Sequence, residues 1–315
     1  MKSMAVHSLT APTAIAVAIS LISLSGEPAQ AQFDIKSPFF EDSCPDDDAE
    51  GENKSKSEGI GMELEAIGAV QFGLDDGEEE QIRQGHEFSV AFEPAEILAI
   101  PEQVWEPEFA VGLEQPRGDS LEASTIAFEN TFRVPLWEEK CAPKGNGASA
   151  QDTGAPKERG SNGLEFGLGA FAAVEAALKD DEPDALEFGP ILGLRHEMAE
   201  PYAIEVIANP FFERQIGEDR APGIALSYGW QTTLELPAPN ALEEVKIGFE
   251  AFGEIEDIGD APPVSEQEHR IGPVVVFGLK PSGLPNLEFE VGMLFGLTDA
   301  TADYALKWNI GIELE

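Results

Sequence analysis

Glutamates placed at every second position between apolar residues are the main chemistry this sequence offers. Glu63, Glu65, Glu129, Glu165, Glu205, Glu213, Glu235, Glu250, Glu254, Glu288, Glu290 and Glu313 alternate in this way, with Lys246, Arg270 and Lys307 in equivalent positions. Fixed carboxylates around an aqueous path lower the energy of cations there and raise that of anions. Two readings follow: the acids line a cation-favouring channel, or they pair with Arg133, Arg195, Arg214, Lys246, Arg270 and Lys307 and close the interior with salt bridges.

Other chemistry is poorly supplied. His86 is followed by Glu87 and Ser89, and His269 is preceded by Glu268, the residue types of a Ser, His and acid hydrolase. Neither place has the spacing or tight turn of a nucleophile, so no catalytic residue is assigned and both histidines are read as hydrogen-bonding residues near a rim. Four histidines, five methionines and two cysteines form no thiolate or histidine-rich metal site. The acidic stretches Asp75 to Glu80 and Glu254 to Asp260 lack the spacing of a calcium loop. No cofactor and no metal are expected.

The elements that must carry these side chains are strands. From Tyr304 to Leu314, Tyr304, Leu306, Trp308, Ile310, Ile312 and Leu314 alternate with Lys307, Asn309, Gly311 and Glu313. A period of two sends the two sets to opposite faces of one strand. Similar runs begin near Ile60, His86, Val104, Ser120, Leu164, Leu186, Tyr202, Ile224, Val245, His269 and Leu287, with alternation blurred at Val274 to Val276. Turn formers such as Asp75-Asp76-Gly77, Pro116-Arg117-Gly118 and Pro281-Ser282-Gly283 separate many of them, and short links make successive strands antiparallel. The tripeptide Leu-Glu-Phe recurs at 164, 186 and 287. We therefore expect an all-β fold, a transmembrane antiparallel up-and-down barrel of about 12 strands.

The N-terminal region has Lys2, an apolar stretch from Ala14 to Leu24 and the small-residue box Ala29-Gln30-Ala31, which is the grammar of an export signal cleaved near Ala31. The expected organisation is a signal peptide at 1–31, an acidic flexible periplasmic segment at 32–58 and an outer-membrane barrel at 59–315. The formal charge of -41, from 60 acidic and 19 basic residues, excludes nucleic-acid binding, which requires a basic footprint. No later stretch has the 18 or so consecutive apolar residues of a membrane helix. Trp105, Trp137, Trp230, Trp308 and Tyr304 are candidates for a membrane-interface girdle.

An even strand number places both barrel termini on the periplasmic side, together with the long link from Leu136 to Asn162. Cys44 and Cys141 then share an oxidising compartment and are candidates for a disulfide, the alternative being two separate thiols.

Several longer motifs carry a resemblance. They are Phe33-Asp34-Ile35-Lys36-Ser37-Pro38, His86-Glu87-Phe88-Ser89, Ala127-Phe128-Glu129-Asn130-Thr131-Phe132, Asn209-Pro210-Phe211-Phe212-Glu213, Gly248-Phe249-Glu250-Ala251-Phe252-Gly253-Glu254, Gln267-Glu268-His269-Arg270-Ile271-Gly272-Pro273 and the ending from Phe295 through Lys307-Trp308-Asn309. With them the chain resembles a family of uncharacterised proteobacterial outer-membrane barrels and, more distantly, the transporter-like barrels of aromatic-degradation operons. The resemblance implies residence in the outer membrane of a Gram-negative bacterium, with outer-membrane lipid, the barrel-assembly machinery and an unknown small solute as partners. Such barrels usually finish on an aromatic residue, whereas Leu314-Glu315 stands here. The functional expectation is a porin-like channel or facilitator, not an enzyme. The alternatives are a non-conducting structural or interaction barrel and a soluble periplasmic all-β protein.

Overall fold

A computed structural model describes residues 35–37, 62–75, 80–92, 104–114, 122–135, 164–178, 183–199, 202–217, 223–239, 242–279 and 285–314. Twelve strands follow one another along the chain: β1 (Met62–Asp75), β2 (Glu80–Phe92), β3 (Trp105–Glu114), β4 (Glu122–Pro135), β5 (Leu164–Ala177), β6 (Asp184–Ala199), β7 (Tyr202–Ile216), β8 (Ala225–Glu235), β9 (Glu244–Ile255), β10 (Glu268–Leu279), β11 (Asn286–Gly296) and β12 (Tyr304–Leu314). Each pairs antiparallel with its sequence neighbours, and β1 pairs with β12 from Met62↔Leu314 to Phe72↔Tyr304, so the sheet closes. The result is an up-and-down barrel with no free sheet edge, the form in which every strand finds two partners.

Register and pleat together decide which residues face inward. Residues directly opposite one another across a ladder share a face. Glu63 faces Ala91 on β2 and Glu313 on β12, and the same face continues around the wall through Glu108↔Glu129, Ala173↔Glu187, Glu187↔Glu213 and Lys246↔Glu235. The other face is apolar and open, as at Phe249 (58% exposed), Phe109 (54%) and Phe166 (53%). The stretch Val274 to Val276, where alternation is unreadable from hydrophobicity, resolves by register: Val274 and Val276 are buried inside, and Val275 points out.

The interior is not uniformly polar. Ala69, Phe252, Leu294 and Ala305 form one buried apolar cluster, and Phe171, Ala173 and Ile191 form another against Phe211. Residues 35–37, assigned by the sequence reading to a periplasmic lead, lie within the barrel: Ile35 packs against the first cluster. Cys44, Cys141 and Trp137 lie outside the described residues.

Candidate functional site

The inward face gathers carboxylates because each strand supplies one at alternate positions, and closure brings those positions into a ring. All fifteen residues named from the sequence lie on it: Glu63, Glu65, Glu313 and Lys307 through β1 and β12, Glu288 and Glu290 through β11, Arg270 through β10, and Lys246, Glu250 and Glu254 through β9. Glu235, Glu205, Glu213, Glu165 and Glu129 complete the circuit on β8, β7, β5 and β4. Arg214 instead pairs with Leu186 on the outward face and is not an interior counter-ion.

Sequence reading overlooked several residues on this face. Glu106 and Glu108 alternate with Trp105, Pro107 and Phe109, the same signal used elsewhere. Glu187 sits in the second Leu-Glu-Phe tripeptide and faces inward like Glu165 and Glu288 in the other two. Lys36 belongs to no strand, so periodicity had nothing to say about it.

Toward the strand ends that carry both barrel termini, a cavity of about 190 Å³ is lined by Ile35, Lys36, Ser37, Glu63, Glu65, Ala91, Glu106, Glu108, Arg133, Glu288, Glu290 and Asn309. Six carboxylates thus meet two cations. Arg133 makes a two-pronged contact with Glu106 (Nη1 to Oε2 2.8 Å, Nη2 to Oε1 3.2 Å), and its Nε donates to the Ser37 carbonyl at 2.9 Å. Lys36 Nζ lies 2.8 Å from Glu108 Oε2 and 3.4 Å from Glu129 Oε2, and its carbonyl accepts from Asn209 Nδ2 at 3.1 Å. The 35–37 segment is therefore held at its apolar side chain, its ammonium and two of its carbonyls.

A second network lies deeper. Lys307 Nζ sits 2.8 Å from Glu250 Oε2, also contacts Glu290, and lies 4.8 Å from the centre of the Phe252 ring. Gln231 Nε2 donates to the other oxygen of Glu290 at 3.0 Å. Both Lys307 and Glu250 are sealed from solvent, at 1% and 0% side-chain exposure. A Cβ on Gly292 would collide with Glu250 Oε1, so the absence of a side chain there makes room for the carboxylate. Elsewhere on the wall Arg195 pairs with Glu235 at 3.2 Å, and Lys246 with Glu205 at 3.4 Å and with Glu244. The bases named from the sequence thus hold some of the acids, and in the cavity six carboxylates stand against Lys36 and Arg133.

The hydrolase set is not assembled. His86 faces Gly68 and His269 faces Gly253, both on the outward face, while Glu87 and Ser89 face Ile67 and Glu65 inside. His86 shares a hydrogen bond with Gln84 (3.2 Å) and lies tilted against Trp308, with ring centres 5.7 Å apart. His269 makes the equivalent contacts, with Gln267 at 3.0 Å and the Tyr228 hydroxyl at 2.9 Å. Gly68 and Gly253 are the gaps over which these pairs close, since a Cβ at either would strike both rings. Tyr304 stacks on Phe72 at one end of the wall and Trp105 on Phe132 at the other, whereas Trp230 and Trp308 sit near the middle of their strands.

No protein-family model and no curated protein matches the chain. Solved structures do. An outer-membrane channel from Pseudomonas putida F1 is similar at a TM-score of 0.50 and 10% identity, over 81% of this chain and 96% of that one. The NanC porin is similar at a TM-score of 0.44 and 8% identity, over 80% of this chain and 99% of that one. The first likeness is one of fold alone: the resemblance to outer-membrane barrels holds at the level of the closed, antiparallel, up-and-down wall.

Proposed function

We propose that the chain is a narrow, porin-like channel of the outer membrane with a cation-favouring lumen, restricted by the 35–37 segment. The observation that carries the reading is the pairing of an open apolar exterior with a carboxylate-lined interior cavity on one closed wall. In water the exterior phenylalanines would each forgo part of the roughly 1.5–3 kcal/mol that full burial of such a side chain brings, which weighs against the soluble alternative. In a bilayer they meet hydrocarbon, while each strand is long enough to cross it tilted. Within the cavity six carboxylates stand against Lys36 and Arg133, an excess of acidic groups that supports a field concentrating cations. Outer-membrane lipid, the assembly machinery and a small cationic solute are the partners this reading requires.

The test is single-channel recording of the refolded mature chain in a planar bilayer under a KCl gradient. Small discrete openings with a cation-selective reversal potential are expected. Silence from protein shown to be inserted would overturn the channel and leave a non-conducting envelope barrel, a reading that the interior position of residues 35–37 favours.

A further inference from the structure

We propose that the lumen contains a binding site for primary alkylammonium groups, built from Glu108, Glu129 and Phe171, which the chain's own Lys36 occupies as a tethered competitor. The inference deepens the channel reading and rests on it only for the solute's route to the site.

Glu108 and Glu129 are direct cross-strand partners on β3 and β4, and both are buried, at 3% and 8% exposure. Like charges placed opposite one another destabilise a ladder, so this pair needs a cation between its members. One cation that reaches it comes from outside the strands. It is Lys36 Nζ, 2.8 Å from one carboxylate and 3.4 Å from the other, and 6.0 Å from the centre of the Phe171 ring. Two carboxylates and an aromatic face are the chemistry that selects an alkylammonium over a bare metal ion, because the ring attracts the cation while the acids take its N–H groups. Asn209, fully buried beside the segment, uses Nδ2 on the Lys36 carbonyl, and its Oδ1 has no hydrogen-bond partner among the described residues. Beyond Lys36 the cavity continues to Glu63 and Glu65, so a diamine placing one ammonium in the Lys36 position has carboxylates for the second.

The test uses cadaverine, whose alkylammonium end matches a lysine side chain, on the refolded full mature chain. Lys36→Met keeps the segment and removes the ammonium. Cadaverine is expected to bind this variant in detergent at least tenfold more tightly than wild type by calorimetry, and to block its potassium current with the same preference. Adding Glu108→Gln and Glu129→Gln to Lys36→Met is expected to abolish both effects. Tetraethylammonium, which has no N–H, is expected to show no preference between the proteins. Equal cadaverine affinity in wild type and Lys36→Met, or binding that survives loss of both carboxylates, overturns the site. Cadaverine binding without any current keeps the site and sinks the channel, whereas current without cadaverine binding does the reverse. Heat-dependent electrophoretic mobility establishes that each variant is folded, and Lys36→Gln carries the same comparisons if Lys36→Met does not refold.

Discussion

Lys307→Met offers the sharpest test of how the interior is held. Lys307 is 1% exposed and its ammonium serves two carboxylates, Glu250 at 2.8 Å and Glu290. Glu250 is 0% exposed, and its second oxygen has no hydrogen-bond partner among the described residues. Removing the cation strands the buried Glu250 beside Glu290, and deleting one partner of a buried ion pair costs about 3–5 kcal/mol. That is roughly two to four orders of magnitude in the ratio of folded to unfolded protein. The assay is urea unfolding of the barrel refolded into lipid vesicles, followed by tryptophan fluorescence, with the midpoint and slope measured together. An unchanged slope with a lowered midpoint is expected. Combining Lys307→Met with Glu250→Gln and Glu290→Gln is expected to restore more than half of the loss, because the cost lies in unanswered charge rather than in lost volume. A single-variant loss below about 1 kcal/mol would refute the reasoning, since the pair would then have to be hydrated or neutral despite its burial.

Phe249→Arg separates membrane from water: at this 58%-exposed position a surface substitution in a soluble protein stays within about 0.5 kcal/mol, whereas a lipid-facing arginine costs about 2–4 kcal/mol near the bilayer midplane, read as loss of the refolded fraction in vesicles. Glu63→Gln with Glu288→Gln, both lining the cavity, is expected to move the reversal potential under a KCl gradient toward zero, and an unchanged potential would remove them from the conduction path. Replacing Glu250 and Glu254 by Gln is expected to lower cation preference in the same recording, with less effect from Glu250, which is already tied to Lys307. Gly68→Ala drives a Cβ into Trp308 and His86 and is expected to cost about 1–3 kcal/mol by overpacking, measured as a lowered temperature for loss of the heat-resistant electrophoretic band.

Strand existence, number and inward face were legible because a β-strand has a side-chain period of two, and alternation survives in the sequence whatever the neighbours are. Tyr304 to Leu314 shows this most cleanly, and the register between β1 and β12 follows the same two faces. Even Glu106, Glu108 and Glu187 carried that signal, although they had not been singled out. The pattern gave out where hydrophobicity did not change from one residue to the next, at Val274 to Val276, and at His86 and His269, polar residues that stand on the otherwise apolar outward face. Those histidines tolerate an outward position because each closes over a glycine and hydrogen-bonds a glutamine two residues earlier, a compensation visible only once three strands lie side by side.

What the sequence by itself determined is local and periodic: which residues form strands, that the strands meander, and that acids share one face. Which acid meets which base is a property of closure. Lys307 and Glu250 are 57 positions apart, and Lys36 and Glu108 are 72 apart. No period links such partners, because their meeting depends on the curvature and stagger of the whole wall and, for Lys36, on a segment outside any strand entering the space the wall encloses. Tertiary structure alone therefore decided that the interior holds apolar clusters, a sealed ion pair and an acidic cavity already occupied by a lysine of the same chain.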